Sequence, residues 1–338
     1  MTDAPPREGR QVETRMVGRD EAGMRLDRWF KEHYPGLGFG HLQKLLRSGQ
    51  VRVDGGRVKT STRLNPGQAV RVPPLTGEDA PAARPKQTAG GDDEAFLRSI
   101  LLYEDDDVFV FNKPAGLAVQ GGSGMTRHID GMLESLTDRG VKPRLVHRID
   151  RETSGVLLVA RTRAAASTLA RTFRSRSARK IYWALVYGVP RPAQGRISTY
   201  LKREPSEEGD VMRIARHGEE DAQHAVSVYS VVDQVAGRLA WLSLKPVTGR
   251  THQLRIHMAS IGHPILGDSK YFNIENWELP GGIQNRLHLL ARRLVIPHPS
   301  GRGVIDVTAP LPPHMAQSWN LLGFDAYDER AEGAEEVA

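Results

Sequence analysis

A chain of 338 residues, 39% hydrophobic and 26% charged, is long enough for two folded domains. Its 47 Lys and Arg exceed 40 Asp and Glu, a net charge of +7, and the lack of cysteine excludes disulfides, thiol catalysis and thiolate metal sites. No run approaches the ~18 apolar residues of a membrane span, and residues 1–10 lack a signal-peptide core, so a soluble cytoplasmic protein with no membrane partner is expected.

Residues 1–20 are polar with little periodicity and read as a flexible tail, with a short strand near residues 11–17. Leu26, Trp29 and Phe30 then recur at helical spacing until Pro35-Gly36, and a second helix over residues 39–47 gathers Leu42, Leu45 and Leu46 on one face. An alternating strand from Gln50 leads into the hairpin-type turn Asp54-Gly55, and another strand follows at residues 69–72. This helix-helix-hairpin order, with Arg25-Leu26-Asp27 and residues 49–55, resembles the small S-four type RNA-binding domain, here residues 21–73. Between Gly23 and Val72 there are 10 basic and 3 acidic residues. Lys44, Arg47, Arg52 and Lys59 are the candidates for phosphate contact, although each alone reads first as an ordinary surface cation. Residues 74–93, rich in Pro, Ala, Gly and Asp, read as a flexible linker.

Beyond the linker, strands are predicted at residues 108–111, 156–160, 181–186, 226–232 and 239–245, with helices over 164–173 and 252–260. No repeated strand-helix-strand unit appears, so an α+β class follows: a mixed, largely antiparallel sheet flanked by helices and loops, beside the small N-terminal α/β RNA-binding domain. Residues 161–180 hold 7 basic and no acidic residues, a footprint suited to a polyanion. Residues 323–338, with 6 acidic residues and 1 basic, read as a disordered acidic tail.

The chemistry concentrates in His147-Arg148-Ile149-Asp150-Arg151-Glu152-Thr153-Ser154-Gly155, a polar turn feeding the apolar run of residues 156–160. A stiff strand after the turn would hold Asp150 in a fixed place, and flanking cations favour its ionised form. Alone, such an Asp usually caps a turn. Lys180-Ile181-Tyr182 and Gly249-Arg250-Thr251-His252-Gln253-Leu254-Arg255-Ile256-His257 follow, with Asn112-Lys113-Pro114-Ala115-Gly116 upstream. These segments, in this order, closely resemble the RluA-type pseudouridine synthases over residues 94–322, a catalytic domain most like that of the RluC branch.

The resemblance implies an isomerase that turns uridines of large-subunit (23S) ribosomal RNA, free or in a pre-ribosomal particle, into pseudouridine. It implies Asp150 as the catalytic carboxylate, Arg255 in a salt bridge to it, Leu254 beneath the base and Tyr182 stacked on the uracil or relaying its proton. Arg148 would enter the space left by the flipped nucleotide, and His147, Lys180, Arg250 and His252 would line the substrate. Asp150 has three routes open: attack on the ribose, attack on the ring, or proton abstraction to give a glycal. No redox change is involved, and with no phosphate-binding loop or metal-ligand spacing in the chain, no cofactor, no metal and a monomer are expected. Gly121-Gly122-Ser123-Gly124 reads as a flexible turn. Gln120, where many relatives carry His, bears on site choice, and the sister RluD-type branch shares the layout. Two rivals remain: a non-catalytic ribosome assembly factor, and a carbohydrate-acting enzyme, whose second carboxylate is missing because Asp105-Asp106-Asp107 reads as a turn.

Overall fold

The structure, a computed structural model, describes residues 12–18, 21–75, 91–121, 127–138, 140–205, 211–274, 278 and 280–332. Most of the expected linker, residues 1–11 and 333–338 of the expected tails, and Gly122, Ser123 and Gly124 lie outside them. Two units divide the chain, Met1–Ala89 and Gly90–Ala338.

In the first unit, strands β1 (Glu13–Met16), β2 (Arg52–Val53) and β3 (Ala69–Val72) form an antiparallel sheet in the order β1-β3-β2, beside helices α1 (Leu26–His33) and α2 (Phe39–Arg47). Leu26, Trp29 and Phe30 of α1 and Leu42, Leu45 and Leu46 of α2 fill its core, as the helical spacing predicts. The short strand expected near residues 11–17 is β1: it pairs with β3 from Glu13↔Val72 to Met16↔Ala69, and Glu13 accepts a 2.8 Å hydrogen bond from the Tyr34 hydroxyl. One expectation changes. The strand expected from Gln50 is only two residues long, because the Asp54 carboxylate accepts from Ala69 N–H and Gln68, drawing the chain onto β3.

The second unit runs α3 (Gly91–Ser99), β4 (Leu101–Glu104), β5 (Val108–Lys113), α4 (Ile129–Met132), β6 (Arg144–Leu145), β7 (Ser154–Ala160), α5 (Arg163–Arg174), β8 (Arg179–Tyr187), β9 (Gln194–Glu204), β10 (Val211–Ala215), β11 (Gln223–Val235), β12 (Leu239–Pro246), α6 (Gln253–Ser260), β13 (Leu289–Pro297), β14 (Val304–Thr308) and α7 (Pro313–Leu322). Its strands make an 11-stranded sheet along the path β10-β9-β11-β12-β8-β13-β7-β5-β4, with β14 on β13 and β6 on β7. Pairings are antiparallel except β13 with β7, so the sheet is mixed and largely antiparallel.

Every residue of β7 is buried. Val156 and Leu158 pack with Leu169, Trp183 and Leu290, whereas Leu157 and Val159 pack with Phe109, Phe111 and Ile129, so alternate side chains serve two cores on opposite faces. Burying each such side chain contributes about 1.5–3 kcal/mol, which makes β7 a stiff base for the loop ahead of it. The acidic end is also ordered as far as it is described. Phe324 packs on Trp241 and Trp319, and the buried Ala331 carbonyl accepts from Trp183 Nε1 (3.2 Å) and Ser243 Oγ (3.0 Å). Charge composition concealed these few apolar anchors.

Candidate active site

The loop carrying Asp150 joins β6 to β7 and is fixed at both ends. Ile149, 5% exposed, sinks into the core with Phe111 and Ile129. Behind Asp150, Gly116 N–H donates to the Arg151 carbonyl (2.9 Å) and Arg151 Nε donates back to the Gly116 carbonyl (3.0 Å). Lys113, wholly buried at the end of β5, donates to the carbonyls of Pro114, Leu117 and Arg151 at 2.8, 2.8 and 3.0 Å. Burial pulls its ammonium down to about 7, against the opposing pull of the Glu152 and Asp150 charges. The sequence signal for Lys113 is an apolar strand ending in Lys-Pro-x-Gly.

Asp150 opens into a cleft of about 520 Å³. Tyr182, Leu254 and Leu289 supply apolar wall, and Arg148, Lys180 and Arg250 line it with them. Ala291 explains how distant segments meet, since it pairs with Tyr182 on one side and with Gly155 on the other. Burial, aided by the Asp150 charge, raises the Tyr182 hydroxyl's pKa, so it stays protonated at neutral pH. Lys180 is half-buried and its ammonium is lowered by burial. His147 also reaches the cleft, but its Nε2 accepts from Leu158 N–H (2.8 Å) and its ring stacks on Phe173 at 4.7 Å. Burial, with the nearby Lys180 charge, depresses it to about 3 and keeps it neutral, so its task is to tie the loop to β7. Of the basic stretch at residues 161–180, the fold brings Arg174 and Arg176, at the end of α5 and just beyond, to the cleft together with Lys180. Asp150 and Asp150 alone brings a carboxylate among these lining residues.

The salt bridge expected between Arg255 and Asp150 is not the one formed. Arg255 donates through Nε to Asp268 Oδ2 (2.7 Å) and through Nη2 to Asp268 Oδ1 (2.6 Å), and both side chains are buried. Its guanidinium still feels the Asp150 charge. Asp268 sits in the turn after α6, and its Oδ1 also accepts from the N–H groups of Lys270 and Tyr271, which fix it in place for the guanidinium. Among the described residues the Asp150 carboxylate has no hydrogen-bonded partner. His252, at φ +51 just ahead of α6, bonds through Nδ1 to the Tyr271 hydroxyl at 2.9 Å, and burial lowers its pKa despite the Asp150 charge. Gln253, given no role from sequence, accepts from Thr248 Oγ1 and Arg250 N–H and donates to Val226 O and Ser227 Oγ, pinning the cleft loop to β11. His257 bonds Thr199 and Ser227 and is structural.

Of the small unit's candidates, Lys44, Arg47 and Lys59 are exposed, while Arg52 spends Nε and Nη1 on the carbonyls of Gly49 and Gly55. Asp105, Asp107 and His298 converge with ligand-type atoms within 4.8 Å of one another. They do not suit a metal: Asp105 is filled by His298, Tyr103 and two backbone N–H groups, and the Arg302 cation occupies Asp107. No helix among the described residues is long and apolar enough to cross a membrane.

Comparison with known proteins agrees with this geometry. Residues 107–260 match the family model described as RNA pseudouridylate synthase. The chain is 34% identical over 315 residues to "Ribosomal large subunit pseudouridine synthase C" of Vibrio cholerae serotype O1, covering 91% of this chain and 96% of that one. It is 33% identical to "RNA pseudouridine synthase 4, mitochondrial" of Arabidopsis thaliana, over 87% of this chain and 78% of the relative. Among solved structures it is similar to "Human RNA Pseudouridylate Synthase Domain Containing 4", with TM-score 0.57, 28% identity, and coverage of 70% of this chain and 97% of that one. A shared fold, the motif segments in one cleft and near-complete coverage of the relatives place the chain in the RluA-type family of RNA pseudouridine synthases.

Proposed function

We propose that the protein isomerises specific uridines of large-subunit ribosomal RNA, with Asp150 as the carboxylate that acts on the nucleotide, and that it does so as a monomer without a small-molecule cofactor. The observation that carries this reading is the charge pattern of the cleft: one carboxylate among Arg148, Arg174, Arg176, Lys180 and Arg250. Such a rim suits the phosphates around a flipped nucleotide, and the lone acid suits a reaction that needs no second carboxylate. The N-glycosidic bond breaks, the uracil turns while trapped, the ribose carbon bonds to carbon 5, and the carbon 5 proton leaves for the nitrogen side of the product. Atoms balance without a co-reactant.

Tyr182 and Leu254 form the apolar bed for the ring. A hydroxyl held protonated by burial favours stacking and hydrogen donation over taking the carbon 5 proton. Arg148, exposed at the mouth, is positioned to enter the vacated stack. Large-subunit RNA is favoured as substrate by the relatives that carry that name at 34% identity. The test is turnover of a large-subunit rRNA transcript by the full chain and by Asp150→Asn, read as pseudouridine by chemical labelling. A loss of about 10²–10⁴-fold is expected; equal product from both overturns the role of Asp150. Mapping modified positions in cells lacking the protein identifies the uridines, and an unchanged map overturns the ribosomal substrate.

A further inference from the structure

One wall of the cleft is left without a task by the proposed chemistry. Ala170, Phe173 and Arg174 stand three and four residues apart on α5, so one face of that helix looks into the cleft, and Val146, His147 and Lys180 line the cleft with it. Phe173 is half-buried: it packs on the core beneath α5 and stacks on the His147 ring at 4.7 Å, 28° from parallel. Arginines alone would satisfy a phosphate, whereas an aromatic pair beside them suits the face of a base. The hydrogen bond that ties His147 to β7 also fixes its tautomer. Leu158 N–H donates to Nε2, so that nitrogen carries no proton, and the neutral ring carries its proton on Nδ1. Among the described residues Nδ1 has no hydrogen-bond partner, and neither do the side-chain donors of Arg174, Arg176 and Lys180. The side chains of this wall therefore offer donors and no free acceptor.

We infer that this wall is a second base subsite, which takes the nucleotide next to the target uridine and selects guanine or uracil there. The occupant follows from continuity. The everted uridine at Asp150 is joined to each neighbour by one phosphodiester link, and the cleft, about 520 Å³, lies in the range that encloses ligands larger than one base. Lys180 and Tyr182, two residues apart on β8, point to the same side roughly 7 Å apart, so the second subsite adjoins the apolar bed of the first. Arg174 and Arg176 meet the neighbour's phosphate, the Phe173–His147 pair meets its ring, and His147 Nδ1–H with Lys180 Nζ meets its edge. Guanine offers O6 and N7 and uracil O4 as acceptors, whereas the amino groups of adenine and cytosine would face further donors. This selectivity rests on the reading of Asp150 as the carboxylate that acts on the uridine.

The test is a double-mutant cycle on synthetic fragments of large-subunit rRNA, each centred on a uridine that the full chain modifies. Each neighbour of that uridine is made abasic in turn, and Phe173→Leu is assayed beside the parent. Loss of the base at one neighbour is expected to lower kcat/KM about tenfold in the parent and by less than about twofold in Phe173→Leu. A Phe173 that only packs lowers every fragment alike, and equal losses in both proteins at both neighbours overturn the subsite. At the coupled position, guanine or uracil is expected to support turnover about fivefold or more faster than adenine or cytosine, and Lys180→Met to flatten that preference. A preference for adenine or cytosine, or one that survives in Lys180→Met, overturns the selectivity. The nitrogen NMR spectrum of the full chain is expected to show His147 protonated at Nδ1 and bare at Nε2; the opposite tautomer overturns the donor edge. If the full chain makes no pseudouridine, the functional reading falls, and affinities for oligouridylates carrying one guanine or one adenine decide the subsite. A guanine preference that Lys180→Met erases keeps it, and equal affinities remove it.

Discussion

At Gly155 the backbone has φ +109, and a Cβ built there would lie 2.2 Å from the Ala291 carbonyl oxygen. Neither the angle nor the approach admits another residue, because β13 crosses against this point through the parallel pair Ala291↔Gly155. Gly155→Ala is expected to destabilise the fold by about 3 kcal/mol or more, with strand separation showing as a lower urea midpoint. A midpoint unchanged from the parent contradicts this. The glycine was visible in the sequence as part of a motif, but its reason was not, since Ala291 lies in a different segment of the chain. The same holds for Arg255. The resemblance implies a salt bridge to Asp150, whereas the partner observed, Asp268, was not legible, because no periodicity marks a buried carboxylate in a turn.

Elements with a simple pattern were legible nearly to their ends: the apolar runs of β7 and β12, the lengths of α2 and α5. Two of the missed strands carry charge where the pattern calls for apolar residues. β13 reads Leu-Leu-Ala-Arg-Arg-Leu-Val-Ile-Pro, and its arginines are accommodated by neighbours: Arg292 stacks over Trp183 at 4.1 Å and Arg293 bonds Asp306 through two donors. In β9, a strand of 11 residues, Arg196, Lys202, Arg203 and Glu204 broke up the alternation in the same way. At this scale α5 and its exit turn are the place to test RNA contact. Arg174→Ala with Arg176→Ala is expected to weaken binding of an rRNA transcript across sequences and to reduce the slope of log affinity against log salt by about 1–2. An unchanged slope removes these arginines from the RNA path.

For the whole molecule, the end of the chain is a closing piece. A protein ending at Leu322 loses Phe324 from the tryptophan cluster and the Ala331 carbonyl from Trp183 and Ser243, and is expected to lose about 3–5 kcal/mol of stability. Unfolding midpoints equal to the full chain would restore the tail reading. Acid acts on the whole fold too. Burial holds His257 and His288 down to about 4, below the ordinary histidine value, so the unfolded chain binds more protons between those limits. Their contribution is complete above about pH 6.5 and is lost as pH falls towards 4, and the two together are expected to cost about 2 kcal/mol between pH 6.5 and 5.5. Replacing both with glutamine and finding the same acid dependence in urea titrations would exclude them. One further consequence concerns synthesis. Because β13 is inserted between β8 and β7, the strand bearing Tyr182 and the loop bearing Asp150 are not neighbours until residue 297 has left the ribosome. The N-terminal unit, which lies wholly before residue 90, emerges far sooner, so it can fold while the strands that frame the cleft are still being made.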